Sequence, residues 1–387
     1  MMWISRDISS YLQQVAAMRP ALVLTGIRQT GKTALARNTF PKHHYVSLDL
    51  PSAAAQAEND PEAFLRAHPA PVIIDEVQYA PGLFRHLKFA IDADRKPGQF
   101  ILSGSQRFGL MQSVSDSLAG RVQIIEIEGL TQIEIDRVAP EMPIHERLQR
   151  GGFPELYANP ELAPAAWMQS YVATFLERDL RQLLLVTQLR DYERFMRALA
   201  LRGANLLNQT ELARDVGVAT STIGQWLSAL KAAGVIHLLE PWFNNATKRL
   251  VKMPKAYLSD VGLAAFLCGI RSANDFETTP LIGAFWETLC HSELRRAQTL
   301  KYGSSDLMFW RDRNKEVDFM VDRAGSFELF EAKWREHPDQ RDIRALKSVM
   351  TELGEPHVRR AQVLCRTANA FPLSTNIQAV GLSGFAV

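Results

Sequence analysis

The fold class of the first part of the chain is indicated by the sequence Ala21-Leu-Val-Leu-Thr-Gly-Ile-Arg-Gln-Thr-Gly-Lys-Thr33. From Gly26 to Thr33 it fits the pattern G-x-x-x-x-G-K-[ST], between the apolar run Ala21–Leu24 and a helical segment that begins near Lys32. In such a loop the glycines let backbone N–H groups face phosphates, and the helix N-terminus adds partial positive charge. Lys32 would then reach the β- and γ-phosphates of ATP, and Thr33 would ligate Mg²⁺. The predicted nucleotide-binding residues are Gly26, Ile27, Arg28, Gln29, Thr30, Gly31, Lys32, Thr33 and Ala34.

Apolar strands alternate with helical segments around this loop. The predicted strands after Ala21–Leu24 are Tyr45–Leu50, Val72–Ile74, Phe100–Ser103 and Gln123–Ile127, with helices such as Pro61–Ala67 and Gly82–Ala93 between them. Strands that alternate with helices are typical of a parallel sheet covered on both faces. The sequence therefore predicts a doubly wound α/β domain of the P-loop NTPase type.

Two carboxylates follow the apolar strand Val72–Ile74. Asp75 can hold the Mg²⁺ shell, and Glu76 can orient or deprotonate an attacking water. An apolar strand that ends in acids is a weak signal alone, but we predict that this strand is a neighbour of the phosphate-loop strand, where it becomes strong. Ser105, after the strand Phe100–Ser103, is the predicted polar sensor of the γ-phosphate.

An arginine is a further predicted part of the site, because many NTPases use one to stabilise charge on the transferred phosphoryl group. Arg121 is the first candidate, since it precedes the last strand of the sheet and follows Gly120. Arg178 is the second. If the arginine came from a neighbouring copy, the protein would be a homo-oligomer. A surface arginine in a salt bridge is the alternative for either residue.

The middle of the chain has the pattern of a helix-turn-helix with a wing. Asn208 is a predicted N-cap of the helix Gln209–Val216, Gly217 breaks it, and Thr220–Ala233 and the strand Val235–Leu239 follow. Exposed polar side chains on the second helix could contact DNA, and a lid or subunit contact is the alternative role. Positive charge just beyond could contact DNA phosphates and comes from Lys248, Arg249, Lys252 and Lys255.

Acidic residues are predicted to converge in the last part of the chain. Glu287 lies on the predicted helix Ile282–Ala297, and Asp318 lies on the first strand of a predicted hairpin. Strand alternation places Glu331 and Lys333 on one face of the second strand, opposite Asp318. Acids so close together are costly unless a divalent cation neutralises them. The set resembles the PD-(D/E)xK nuclease constellation, which implies that Glu287, Asp318 and Glu331 hold Mg²⁺ or Mn²⁺ while Lys333 activates water.

Six stretches together resemble a large prokaryotic family of AAA-type ATPases whose C-terminal domain is related to restriction endonucleases. The resemblance covers essentially the whole chain, and it implies an ATPase core, a winged-helix-like middle and an α+β nuclease-like end. Ile27 and Thr30 depart from the family's usual loop at positions whose side chains do not contact phosphate. The stretches are Gly26–Leu35, Ile73–Pro81, Ser103–Gln106, Leu118–Arg121, Gly151–Glu155 and Glu177–Leu180.

Composition fits a multidomain globular chain, because 387 residues exceed a single domain of usual size and the net charge is only +2. The patterns predict three domains: an ATPase domain at 1–130, a helical and winged-helix domain at 131–275, and a nuclease-like domain at 276–387. Three scattered cysteines favour a reducing, cytoplasmic setting. No apolar run reaches the roughly 18 residues that span a bilayer, so no membrane role is expected.

Three functions remain open at this point. The first is an Mg²⁺-dependent ATPase that couples its nucleotide state to DNA binding and phosphodiester cleavage. The second is a nucleotide-gated binding switch in which the C-terminal fold recognises a nucleic acid or protein without cleaving it. The third is a protein-remodelling ATPase that assembles into a ring and depends on Arg121 across subunits.

Overall fold

The computed structural model describes residues 2–104, 117–176, 189–243, 253–312 and 315–384. These residues form two compact units. The N-terminal unit consists of Met1–Leu130 with Phe153–Asn159 and Ala232–Gly234, and the C-terminal unit consists of Thr131–Gly152, Pro160–Lys231 and Val235–Val387. The division of the chain into three domains stays a prediction.

The N-terminal unit is built on a five-stranded sheet in the order β2-β3-β4-β1-β5, and every neighbouring pair of strands is parallel. The sheet confirms the predicted α/β fold. The prediction that the acidic strand neighbours the phosphate-loop strand is wrong, because β4 lies between β1 and β3. The strands are β1 (Ala21–Thr25), β2 (His44–Ser47), β3 (Val72–Asp75), β4 (Phe100–Ser103) and β5 (Val122–Glu126).

Helices cover both faces of this sheet. On β1, Ala21 and Val23 belong to one buried cluster while Leu22 and Leu24 belong to another, so alternate side chains fill two separate cores. Burial on both faces explains why the strand is apolar throughout. The helices of the unit are α1 (Ile8–Ala16), α2 (Lys32–Thr39), α3 (Pro51–Asn59), α4 (Pro61–Ala67) and α5 (Leu83–Ala93), and the α8 helix (Pro154–Ala158) also belongs to it.

The C-terminal unit begins with helices and a two-stranded antiparallel ribbon of β6 (Ile236–Leu239) and β7 (Lys255–Leu258). Asn208 caps its helix by accepting the backbone N–H groups of Thr210 and Glu211, as predicted. Its helices up to the ribbon are α6 (Gln132–Asp136), α7 (Ile144–Arg150), α9 (Pro164–Tyr171), α10 (Leu189–Ala200), α11 (Gln209–Val216) and α12 (Thr220–Ala232).

The rest of the C-terminal unit contains a six-stranded mixed sheet in the order β12-β13-β11-β10-β9-β8. β9 and β10 form the predicted antiparallel hairpin, whereas β10 and β11 are parallel. The strands are β8 (Leu307–Asp312), β9 (Lys315–Arg323), β10 (Ser326–Ala332), β11 (Val358–Leu364), β12 (Phe371–Ser374) and β13 (Ile377–Val380). Its helices are α13 (Val261–Leu267), α14 (Asp275–Thr278), α15 (Ile282–Tyr302) and α16 (Arg344–Leu353).

Two predicted helices differ from the observed ones. α15 continues to Tyr302, five residues beyond its predicted end, and stops where Gly303 adopts a left-handed conformation with φ of 80°. The predicted helix Ala165–Leu185 is α-helical only to Tyr171, and Val172–Leu176 form a π-helical turn. Within the described residues, no helix is long and apolar enough to cross a membrane.

Candidate functional site

The phosphate loop follows β1 with an unusual backbone. Gly26 has a φ of 133° and Gly31 a φ of 82°, and Gln29 between them also has a positive φ of 67°. A Cβ atom added at Gly26 would overlap the carbonyl oxygen of Ile127 and lie 3.1 Å from its carbonyl carbon. The first glycine of the motif is therefore required both by its φ and by the neighbouring backbone.

Lys32 opens α2, and its side chain is buried within the loop. Its ammonium donates hydrogen bonds to the carbonyl oxygens of Gly26 at 3.0 Å and Ile27 at 2.7 Å. Burial lowers the pKa of Lys32 to about 8, although the charges of Glu76 and Asp75 oppose this change. The ammonium thus lies against the backbone of the loop that is predicted to bind the phosphates.

The other residues of the motif divide into buried and accessible ones. Ile27 and Thr30 are buried, and the Thr30 hydroxyl donates to the Ile27 carbonyl oxygen at 3.0 Å. Arg28 is half-buried, whereas Gln29 and Ala34 are exposed. The two positions that depart from the usual family loop therefore serve the internal packing of the loop.

Arg6 anchors the loop from the N-terminus, a contact that the sequence analysis missed. Its guanidinium donates to the carbonyl oxygens of Thr30 at 3.0 Å, Glu128 at 2.8 Å and Gly129 at 3.0 Å. It is 7% exposed, so its charge is held inside the unit by these carbonyl groups. Arg6 thereby joins the phosphate loop to the segment after β5.

Asp75, at the end of β3, gathers three hydroxyl groups. It accepts hydrogen bonds from Thr33 at 2.9 Å, from Tyr45 at 3.0 Å and from Ser103. The strand register brings the ends of β2, β3 and β4 together. Ser47 on β2 is paired with Asp75 on β3, and Leu102 on β4, the residue before Ser103, is paired with Ile74 on β3. Burial and the charge of Asp75 raise the pKa of Tyr45. This set of carboxylate and hydroxyl oxygens fits the ligand preference of Mg²⁺.

Glu76 directly follows this group, in a left-handed conformation with φ of 54° that non-glycine residues seldom adopt. It is half-buried, and the side-chain amide of Gln78 donates to its Oε2 atom. Ser105, the predicted sensor, lies outside the described residues.

Arg121 forms a two-pronged ion pair in the structure. Its Nε and Nη2 atoms donate to the two carboxylate oxygens of Asp92, both at 2.7 Å. The hydrogen bond from Arg121 holds the pKa of Asp92 below its ordinary value. This is the salt-bridged alternative of the sequence analysis, and the role of Arg121 in phosphoryl transfer stays a prediction. Arg178 lies outside the described residues.

The C-terminal cluster also has recognisable parts. Lys333 donates to Glu331 at 2.6 Å, as the alternation along β10 predicts. Asp318 on β9 accepts the backbone N–H of Ala332 at 2.9 Å, which places it beside the end of β10. Glu287 on α15 accepts the hydroxyl of Tyr257 at 2.6 Å.

Lys255 lies among these acids, and the prediction that it contributes to a basic surface for DNA is wrong. Its side chain is 3% exposed, and its ammonium lies 2.9 Å from Glu287, 2.6 Å from Glu316 and 3.4 Å from Asp318. The other three predicted basic residues, Lys248, Arg249 and Lys252, lie outside the described residues. A lysine thus supplies positive charge where the sequence analysis expected a metal.

Burial perturbs the acids of this cluster. The pKa of Glu287 rises to about 7 and that of Glu331 to about 8, in each case through burial first and then the charge of Asp318. Across the described ranges, no group of three or more His, Cys, Asp or Glu side chains is arranged to hold a metal ion. The metal-ligand roles of Glu287, Asp318 and Glu331 stay predictions.

Comparison with family models defines the class of the protein. Residues 18–135 match an AAA domain, and the loop and β3 described above lie within this range. Residues 143–274 and 282–385 match two domains of unknown function, DUF8612 and DUF4143. The chain therefore contains an AAA domain with an ATPase-like nucleotide site, and the two domains of unknown function follow it.

Sequence comparison defines the family more closely. The chain is 33% identical over 386 residues to uncharacterized protein Rv2008c of Mycobacterium tuberculosis, a match that covers 97% of this chain and 83% of that protein. Uncharacterized protein Mb2031c of Mycobacterium bovis matches with the same identity and coverage. The chain belongs to the same protein family as these two mycobacterial proteins.

Two solved structures are similar at a lower level. The Walker-type ATPase paby2304 of Pyrococcus abyssi is 19% identical with a TM-score of 0.46, and the match covers 68% of this chain and 96% of that one. A RuvB variant of Thermotoga maritima is 18% identical with a TM-score of 0.32, covering 60% and 88%.

Proposed function

We propose that this chain binds MgATP through its phosphate loop and hydrolyses it. The observation that carries the proposal is the hydrogen bond of 2.9 Å between Thr33 and Asp75, which joins the end of the loop to the end of β3. These two side chains are the pair that would hold Mg²⁺. When bound, the metal would neutralise charge on the phosphates.

The chain's own residues would divide the work of hydrolysis. Loop N–H groups and the Lys32 ammonium would hold the phosphates, since Gly26 and Gly31 give the loop the backbone conformation that phosphate binding needs. Glu76 would accept a proton from water as the water oxygen bonds to the γ-phosphorus. The bond between that phosphorus and the bridging oxygen breaks, and ADP leaves with the electron pair.

Phosphate release tests this proposal directly. Lys32→Ala should abolish Mg²⁺-dependent release of phosphate from ATP, because it removes the buried ammonium of the loop. Lys42→Ala is the matched control, since Lys42 is exposed in the same unit, and it should keep the wild-type rate. An undiminished rate of phosphate release by Lys32→Ala would contradict the proposal.

We further propose that the nucleotide state controls DNA binding by the C-terminal unit, without DNA cleavage. The helices α11 and α12, the Gly217 turn with φ of 83° and the β6–β7 ribbon support a winged-helix interpretation. Their exposed side chains could contact DNA phosphates. The exposed polar residues on α12 are Thr220, Ser221, Gln225, Ser228 and Lys231.

The nuclease-like interpretation rests on the proximity of Asp318, Glu331 and Lys333 and on the mixed sheet that carries them. With Lys255 among the acids, these residues do not fit a bound divalent cation, so no cleavage step is assigned to them. We therefore favour the second of the three functions, a switch that binds without cutting.

Labelled DNA separates the two interpretations. The protein should bind DNA with an affinity that differs between ATP and ADP, and DNA should stay intact with Mg²⁺ or Mn²⁺. Metal-dependent cleavage that disappears in both Asp318→Ala and Lys333→Ala would instead establish a nuclease. Absence of DNA binding in every nucleotide state would contradict the proposed switch.

A further inference from the structure

Lys255 begins β7 and points into the acidic cluster of the C-terminal unit. Its Nζ atom lies within 3.4 Å of carboxylate oxygens from three residues, one on α15 and two on β9. The side chain of Lys255 is only 3% exposed, and those of Glu287, Glu316 and Asp318 are 16%, 29% and 11% exposed. The ammonium is thus enclosed by its counter-charges.

The backbone around Lys255 keeps this side chain in place. β7 pairs with β6, with Leu239 opposite Lys255, and an isolated bridge joins Lys255 to Leu206. Two residues further along β7, the hydroxyl of Tyr257 donates to the same Glu287 oxygen that Lys255 contacts. Lys255 is therefore fixed from its own strand and from the acid it contacts.

An ammonium and a divalent cation compete for such a place. An ammonium group has three N–H donors for oxygen acceptors, and a divalent cation would need oxygen atoms of the same carboxylates as ligands. Two cations at this distance would repel each other strongly in a buried site. Occupation by Lys255 is therefore incompatible with a metal ion bound to Glu287 and Asp318 together.

One buried carboxylate oxygen of the cluster, on Glu331, accepts no hydrogen bond from the described residues. Glu331 is 6% exposed and its Oε1 accepts from Lys333, but its Oε2 has no hydrogen-bond partner among the described residues. Such a buried carboxylate oxygen is costly unless a cation or proton meets it. Removal of Lys255 would also leave the carboxylate oxygens of Asp318 and Glu287 without their ammonium partner.

We infer that Lys255 is a built-in cation that takes the place of the divalent metal in this nuclease-like cluster. The lysine belongs to the range 143–274 that matches one domain of unknown function, and its acids belong to the range 282–385 that matches the other. One domain of the family thus supplies the positive charge for the acids of the next. The inference needs no nucleotide, so it stands apart from the proposed ATP hydrolysis.

Binding of Mn²⁺ to the full chain tests the inference, and loss of the free Mn²⁺ signal in electron paramagnetic resonance measures it. Without nucleotide, wild type and Asp318→Asn should bind the same number of Mn²⁺ ions, because Lys255 already fills the cluster. Lys255→Met should bind one more ion than wild type, and adding Asp318→Asn to that variant should remove it. Lys231→Met, which removes an exposed lysine of the same unit, should behave as wild type.

Two results would overturn the inference. The first is an Mn²⁺ ion that wild type binds and Asp318→Asn loses, which would show that the metal enters with Lys255 present. This comparison does not depend on whether Lys255→Met folds. The second is a folded Lys255→Met that gains no ion.

Thermal unfolding gives an independent readout. Removal of one partner from a buried ion pair is strongly destabilising, so Lys255→Met should melt on the order of 10 °C below wild type. Millimolar Mn²⁺ should recover part of this loss in Lys255→Met and leave the melting temperature of wild type unchanged. Equal responses of the two proteins to Mn²⁺ would contradict the role assigned to Lys255.

Discussion

Substitution of Gly26 by alanine tests how tightly the phosphate loop is built against β5. An L-residue with positive φ costs roughly 1–2 kcal/mol, and Gly26 has a φ of 133°. The new methyl group would also overlap the Ile127 carbonyl, whose residue is held by a hydrogen bond of 2.7 Å from its N–H to Thr25. Overpacking costs about 1–3 kcal/mol and loss of that hydrogen bond about 1 kcal/mol. We therefore expect the free energy of unfolding of the N-terminal unit to fall by about 3–6 kcal/mol.

Gly120→Ala is the matched control for this prediction. Gly120 also has a positive φ, of 76°, but an added Cβ would meet no atom within 4 Å. It should cost only the backbone strain, about 1–2 kcal/mol. At about 4 °C per kcal/mol, scanning calorimetry should show a fall of about 12–24 °C for Gly26→Ala and about 4–8 °C for Gly120→Ala. Addition of MgATP identifies the unfolding transition of the N-terminal unit, because nucleotide binding should raise the melting temperature of that unit alone. Equal falls for the two variants would refute the close approach of Ile127.

Three further predictions follow from single contacts. At pH 9, ATP binding should be accompanied by uptake of close to one proton, because Lys32 has a pKa of about 8 in the free protein and phosphate charge favours its protonated form. Calorimetry in buffers of different ionisation enthalpy measures this uptake, and at pH 6.5 it should show none. Proton uptake that persists in Lys32→Arg would contradict the assignment to Lys32. Tyr45→Phe removes a hydrogen bond to Asp75 that is worth about 1 kcal/mol, so it should raise the Mg²⁺ concentration for half-maximal ATP turnover about fivefold. Tyr79→Phe is the control and should leave that concentration unchanged. Equal effects of the two substitutions would contradict a role for the Tyr45–Asp75 contact. Asp260→Ala removes the acceptor of the backbone N–H groups of Gly152, at 2.7 Å, and Leu263, at 2.9 Å. It should destabilise the C-terminal unit by about 2–4 kcal/mol, which scanning calorimetry measures. A destabilisation below about 0.5 kcal/mol would contradict this prediction.

The parts of the candidate phosphate site can be predicted from local sequence because each is a short contiguous pattern, although Thr33 and Asp75 are 42 residues apart. The loop, the start of α2 and the end of β3 each carry their own pattern, and the structure joins them through Thr33 and Asp75. The position of β3 was predicted wrongly because strand order depends on how the connections cross the sheet. Arg6 has no local pattern either, since it contacts carbonyl oxygens as far as 123 residues away in sequence.

The C-terminal cluster shows the same contrast. Strand alternation is sufficient to place Glu331 beside Lys333, two residues apart on one face. Lys255 is 32 residues from Glu287 and 63 from Asp318, and its position in a run of basic residues suggested a solvent-exposed charge. Only the packing of β7 against the acids decides that this lysine is buried, and a single sequence contains no pattern for that packing.

ATP turnover by Glu76→Gln tests the proposed hydrolysis of MgATP, because this change removes the proposed proton acceptor and keeps the shape of the side chain. We expect ATP affinity to stay within about threefold of wild type while Mg²⁺-dependent phosphate release in a single turnover falls by about 10²–10⁴-fold. An unchanged rate of phosphate release, with ATP bound as in wild type, would contradict it.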